Sequence, residues 1–318
     1  MSTNSTRKTS KVAKGNKARR DIYQEVTDRI VAALEAGTAP WRKPWNVREN
    51  GALQNLITGH TYRGLNVLLL SLSAMEHGFT SPYWLTANQI KAAGGTWSGK
   101  GTQITFWKRL PISEVDEATG QRVTKVIPML KHFYVWNVQQ TEGVTMPKRT
   151  QVVAEDNDHT PVEAAEAVIA GYLADGPSLR YGGDRAFYVP ALDAITLPER
   201  SSFANIDEYY STAFHEMGHS TGHADRLART YGVAFGNHEY GREELVAEMT
   251  SAFVQAETGI ESAEANSAAY LASWIRTLKD DVRAVVVAAG AAQRAADLIM
   301  GRAAPEAAEA PAAERVAA

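Results

Sequence analysis

The chain of 318 residues contains no cysteine, so it can form no disulfide and offers no thiolate to a metal. Any ion it holds must therefore sit on histidine and carboxylate. The absence of cysteine also suits a reducing compartment. No apolar run approaches the roughly 20 residues needed to cross a bilayer. The basic N-terminus lacks the apolar stretch of a signal peptide. Together these absences predict a soluble, cytoplasmic protein with no membrane partner. Aromatic residues make up 8 % of the chain, and six of the seven tryptophans crowd between Trp41 and Trp136.

The net charge of −3 hides a division. Residues 1–150 hold 21 Lys/Arg against 10 Asp/Glu, and residues 151–318 hold 12 against 26. Such asymmetry points to a front half that faces nucleic acid and an acidic back half. Periodicity fills in an α+β organisation. Residues 1–20 form a basic arm of low hydrophobicity, and Ile22, Val26, Ile30 and Leu34 then recur at helical spacing up to Gly37. Leu65 to Met75 predicts a buried helix, and Thr86 with Gln89 opens a short one. Residues 102–108 and 131–137 alternate as strands, joined by a solvated connection. A polar stretch over 143–160 divides a front domain (21–142) from a back domain (161–300), and a tail without evident fold occupies 301–318. The back domain begins with a helix from Pro161 to about Ala174. Two short strands follow, at 186–190 and 194–198. Ala263 to Met300 reads as helical and closes the domain, with Tyr270, Trp274, Leu278 and Val282 on one core stripe. The fold class expected is α+β: an α+β front domain and a mainly helical back domain with a small sheet.

The back domain carries the most informative motif, Phe214-His215-Glu216-Met217-Gly218-His219. Two histidines four residues apart lie on one helix face and can grip a single ion, with Glu216 placed as general base toward water. A catalytic zinc site wants a third protein ligand. If the helix continued, His223 would lie about 12 Å from His215 along the axis; it could serve only if Gly222 ends the helix and the chain turns back. Glu244, on a second predicted helix, is the stronger candidate, and Glu248 one turn on is placed to orient a ligand histidine from behind. Zinc is preferred, with manganese or cobalt compatible with such donors.

In the front half aromatic and basic residues interleave: Trp41 with Arg42 and Lys43, Tyr62 with Arg63, Trp97 near Lys100, and Trp107 with Lys108 and Arg109. Single-stranded nucleic acid needs flat rings for its bases and cations for its phosphates. These ten residues are the candidate contacts. Trp84 and Trp136 read as structural, since aromatics dominate core burial.

The wording of both halves resembles a known family. AFHEMGHSTGH followed by YGREELVAEM resembles the peptidase-like domain of ArdC-type plasmid antirestriction proteins, itself similar to zincin metallopeptidases with a glutamate ligand. His60 to Asn66, Trp84-Leu85-Thr86, Gly99-Lys100-Gly101, Phe133 to Val138 and Gln140 to Gly143 resemble that family's N-terminal domain. The resemblance covers about residues 20–300. It implies single-stranded DNA binding by the front domain and a role in shielding incoming plasmid DNA from host restriction. It also implies a zinc metallopeptidase-like domain, whose substrate would be a host protein such as a restriction component. The front domain also occurs in conjugative primases. This keeps open a conjugation or replication accessory that binds single strands and uses its metal domain only structurally.

Overall fold

The computed structural model describes residues 21–41, 51–115, 120–145, 160–229, 238–261 and 268–302. Helix α1 (Ile22–Glu35) starts where the Asp21 carboxylate accepts from the Tyr23 and Gln24 amides, filling donors that a helix start leaves open. It buries Val26, Ile30 and Leu34 along one face. Helix α2 (Leu65–His77) is the buried apolar helix expected, and α3 (Ala87–Ala92) opens with the Thr86–Gln89 capping box read from the sequence.

Strands β1 (Gln54–Asn55), β2 (Tyr83–Thr86), β3 (Thr96–Trp97), β4 (Thr102–Val115), β5 (Arg122–Asn137) and β6 (Thr141–Glu142) build the front half. Four of them form a sheet in the order β1-β2-β5-β4, with β1 parallel to β2 and the other pairs antiparallel. Strands β3 and β6 pair separately. The β4–β5 hairpin is twice as long as its apolar alternation announces, running from Thr102↔Val135 out to Val115↔Arg122. Pro111 and Pro128 argue against strand there, but both strands are edges in the outer ribbon, where proline breaks no ladder bond. Nearer the sheet, Asn66 of α2 seals the β4 edge. Its Nδ2 donates to the Thr105 carbonyl and its Oδ1 accepts from the Thr105 amide, both at 2.8 Å, as a neighbouring strand would.

The back half opens with α4 (Pro161–Ala174), started by a Thr160–Glu163 capping box with proline in the first turn. Strands β7 (Ser178–Tyr181), β8 (Phe187–Val189) and β9 (Ala194–Leu197) form a second sheet, order β7-β9-β8. The β8–β9 hairpin was expected. Strand β7 was not: Asp175-Gly176-Pro177 and Gly182-Gly183 bracket it, but Ser178–Tyr181 is a four-residue run with two polar residues, and its parallel pairing with β9 is what defines it. Helices α5 (Ile206–Ser220), α6 (His238–Thr258), α7 (Ala268–Asp280) and α8 (Ala284–Ile299) follow among the described residues. The helical stretch expected over 263–300 is two helices broken at 281–283, so its stripe through Val282 is not continuous. Asp281 accepts from the Arg283 amide at 2.9 Å and pairs with Arg242 at 2.5 Å, so a polar turn interrupts the apolar stripe. The break frees the Val282 carbonyl, which accepts from Thr27 Oγ of α1 at 2.7 Å.

Front and back share one core. Val26, Ile30, Leu34, Trp41 and Leu68 belong to the same buried cluster as Trp274, Leu278, Val285 and Ala289. Polar ties border it: the Gly64 amide donates to Gln293 Oε1 at 2.8 Å, Lys279 pairs with Glu35 at 2.7 Å, and Arg63 pairs with buried Asp297. Separate smaller clusters fill the two sides of the front sheet.

Candidate metal centre and nucleic-acid face

Helices α5 and α6 meet backbone to backbone at Gly218. A Cβ there would lie 3.1 Å from Ala247 Cα and 3.2 Å from the Ala247 carbonyl oxygen. The glycine inside the His-Glu-x-x-His motif and the small Ala247 therefore let the helices approach closely, which carries Glu244 to the two histidines. His215 Nε2 and His219 Nε2 are 3.1 Å apart. Glu244 Oε2 lies 3.6 Å from the first and Oε1 lies 3.5 Å from the second. A divalent ion bound at about 2.0–2.1 Å with tetrahedral angles holds its ligand atoms about 3.3–3.4 Å apart. The three donors are thus spaced to share one ion.

His223 is not part of this cluster. The helix ends at Ser220, and His223 Nδ1 accepts instead from the Asp225 amide at 3.3 Å. Of the two candidates for a third donor, the fold brings Glu244 in. Glu216 is buried on the same helix.

Both histidines turn their other nitrogen to a carboxylate. His215 Nδ1 lies 3.5 Å from Glu248 Oε1, the neighbour expected from the sequence. His219 Nδ1 lies 3.4 Å from Glu243 Oε1, which the sequence reading passed over. Such partners fix the ring so that Nε2 faces the ion. Burial works against a charged His219, but Glu243, Glu244 and Glu216 around it prevail and raise its pKa. Burial likewise pushes Glu243 upward, yet His219 and Arg229 outweigh it and hold the carboxyl below its usual range.

Two further residues were missed. Arg229 donates to both Glu243 oxygens (3.0 and 2.7 Å), to Thr221 Oγ (2.7 Å) and to the Gly218 carbonyl (2.8 Å). Arg226 donates to the Ser220 carbonyl at 2.8 Å and pairs with Asp193 of the β8–β9 turn. Both cap the carbonyl end of α5, where cations are favoured. Two arginines within ten residues after a helix end were the available signal.

The nucleic-acid candidates divide. Trp41 and Tyr62 are corrected. Trp41 is 1 % exposed and packs edge-on against Trp274 at 5.3 Å, and Tyr62 is 6 % exposed, so neither ring can reach a base. Arg63 has its charge engaged by buried Asp297 across the two halves, so it ties them together instead of standing ready for phosphate. Arg42 and Lys43 lie outside the described residues. Lys100 and Arg109 are exposed, Lys108 is half-buried, Trp97 is half-buried and Trp107 is 48 % exposed. Trp84 is buried, as expected, and Trp136 only half-buried.

Residues 163–291 match the model of a zincin-like metallopeptidase, and residues 20–136 that of the N-terminal domain of the anti-restriction factor ArdC. Over 300 residues the chain is 35 % identical to the DNA primase TraC of Escherichia coli, covering 89 % of this chain but 27 % of TraC. The metal-free crystal structure of the antirestriction protein ArdC from the R388 plasmid is similar with 38 % identity and a TM-score of 0.67, covering 88 % of this chain and 97 % of that one. The Mn(II)-bound structure of that protein matches at 36 % identity and a TM-score of 0.69, covering 90 % of this chain and 99 % of that one. Both domain types, in the same order and over nearly the full length of a solved relative, place this chain in the ArdC antirestriction family.

Proposed function

We propose that the chain binds single-stranded DNA through residues 21–142 and shields incoming plasmid DNA from host restriction. Residues 161–300 hold one divalent ion on His215, His219 and Glu244. The observation that carries the metal half is the spacing of the three donor atoms, 3.1–3.6 Å, together with carboxylates behind both histidines. Zinc suits this donor set, and the manganese seen in the R388 protein is compatible with it.

The ion, once bound, supplies Lewis acidity for hydrolysis of an amide. Glu216, buried beside the histidines, accepts the proton of the attacking water on its carboxylate and passes it to the leaving amine. Glu248 and Glu243 keep the rings oriented, and Arg229 keeps Glu243 ionised and in place. Strand β8 is an edge of the sheet that packs on α5, so an extended segment of a host protein can pair there beside the site.

The test combines metal content with protection. Native-purified protein should carry about one divalent ion per chain, lost in His215→Ala. Glu216→Gln should keep metal and DNA binding but lose proteolysis and protection of incoming DNA. Full protection by Glu216→Gln would remove proteolysis from the mechanism and leave DNA coating; absence of metal from folded protein would overturn the metal site.

A further inference from the structure

Resting on the single-stranded DNA reading above, we infer that one face of the β4–β5 hairpin is a base-stacking track, formed by Trp136, Tyr134 and His132 with Trp107 at its margin. Successive residues of a strand point to opposite faces, and directly paired residues share one. Trp136, Tyr134 and His132 alternate along β5, so their rings stand on the same face. Trp107 joins them through its pairing with Leu130. Their spacing along the strand is about 6.8 Å per ring.

The track is built and open. At one end the Trp136 ring lies against Gly101: a Cβ there would come within 2.8 Å of the ring, so only glycine admits it. Trp136 Nε1 donates to the Gly99 carbonyl at 3.4 Å, and Trp97 tilts against the Trp136 ring at 5.2 Å. Lys91 places its ammonium 5.8 Å from the Trp97 ring, and Lys100 projects from the adjoining turn. In the middle, Tyr134 is 38 % exposed and meets His132 edge-on at 5.8 Å. At the far end Leu130 is buried in the shared core, so the face closes there and Trp107 stands beside the closure, largely in solvent.

Charge selects the occupant. Strands β4 and β5 carry Lys108, Arg109, Arg122, Lys125 and Lys131 against one carboxylate, Glu114, which faces Lys125 at 3.7 Å. On the track's own face the charged residues are Arg109 and Arg122, with His132. Rings in a row on a sheet, bordered by cations, match the chemistry of a single strand whose unpaired bases stack while its phosphates meet the margins. A duplex hides its bases and gains only the charges. A row of this length takes about three bases, as sheet-borne aromatics do in other single-strand binders.

The experiment is binding of the whole chain to an oligothymidine of about twelve nucleotides, by fluorescence anisotropy across a salt series. Tyr134→Ala and Trp107→Ala should each weaken binding about 5- to 150-fold, with thermal midpoint and salt slope unchanged. Tyr134→Phe keeps the ring and should bind like wild type. Arg109→Ala should reduce the salt slope by about one. Duplex of the same length should bind the wild type and Tyr134→Ala alike. If wild type binds and the ring variants bind equally well, the track is overturned while DNA binding stands. If wild type does not bind, the single-strand reading itself falls. If Tyr134→Ala instead splits a dimer without touching DNA affinity, the face belongs to a second copy, and the track is overturned.

Discussion

The metal centre and the hairpin face are built on opposite logics. At the centre, each histidine has one nitrogen turned to the shared spot and the other to a carboxylate, and Arg229 ties one of those carboxylates to the end of α5. Position is fixed from two sides before any ligand arrives. On the hairpin the rings are fixed from one side only: Tyr134 and Trp107 stand in solvent, and the base of the row is set by Gly101. A site for one small ion gains from rigid donors, whereas a site for a flexible polymer of varied sequence gains from flat, tolerant surfaces.

The largest expected effect separates two tryptophans that look alike in the sequence. Trp41→Ala should cost about 3–5 kcal/mol of stability, because that ring fills the core shared with Trp274. Trp107→Ala should change stability by less than about 0.5 kcal/mol. Urea unfolding of both variants checks this; equal losses would break the distinction between core ring and surface ring.

Next comes the approach of α5 and α6. Gly218→Ala should cost about 1–3 kcal/mol, since the methyl meets the Ala247 backbone. It should also weaken metal binding, because Glu244 moves away with α6. Competition with a chelator checks the second part, and unchanged affinity would show that the helices need not touch there.

Smaller still is the change at Glu243. Glu243→Gln should lower metal affinity about 10- to 100-fold while DNA affinity stays as it was. Titration with Zn2+ checks it, and equal loss of DNA affinity would mean that the two sites are not separable. The smallest effect concerns acid. Hydrogen bonds from Arg226 hold the Asp193 carboxyl below its usual range, against the opposing effect of burial. A depressed pKa in the fold stabilises fully above about pH 4 and is lost as pH falls through the depressed value. Asp193→Asn should therefore flatten the pH dependence of the melting temperature below about pH 4.

The sequence revealed the centre far better than the face, and the reason is geometric. His215 and His219 lie on one helix turn, so spacing alone puts them together, and Glu244 follows from a second helix that its helix-forming composition and apolar continuation make visible. The capping box at Thr86, read from the sequence, is equally local. Whether a tryptophan faces solvent is decided by what packs on it, and for Trp41 that partner is 233 residues away at Trp274. Alternation in 131–137 already puts Tyr134 and His132 on one face with Trp136, but that this face is open, and that Trp107 shares it, shows only in the fold. Strand β7 and the turn at Asp281 escaped notice for the same reason: pairing and ion pairs with distant residues hold them.

The contact of α1 with the last two helices also has a meaning in time. Thr27 and Val282 are 255 residues apart, and at about 5–20 residues per second a ribosome takes roughly 13–50 s to bridge them. Throughout that interval the apolar stripe of Val26, Ile30 and Leu34 has only front-half residues such as Trp41 and Leu130 beside it and lacks the cover of Trp274, Leu278 and Val285. The front half is thus the first part made and among the last finished. Synthesis in a cell short of chaperones should lose this protein at that stage, before either site exists.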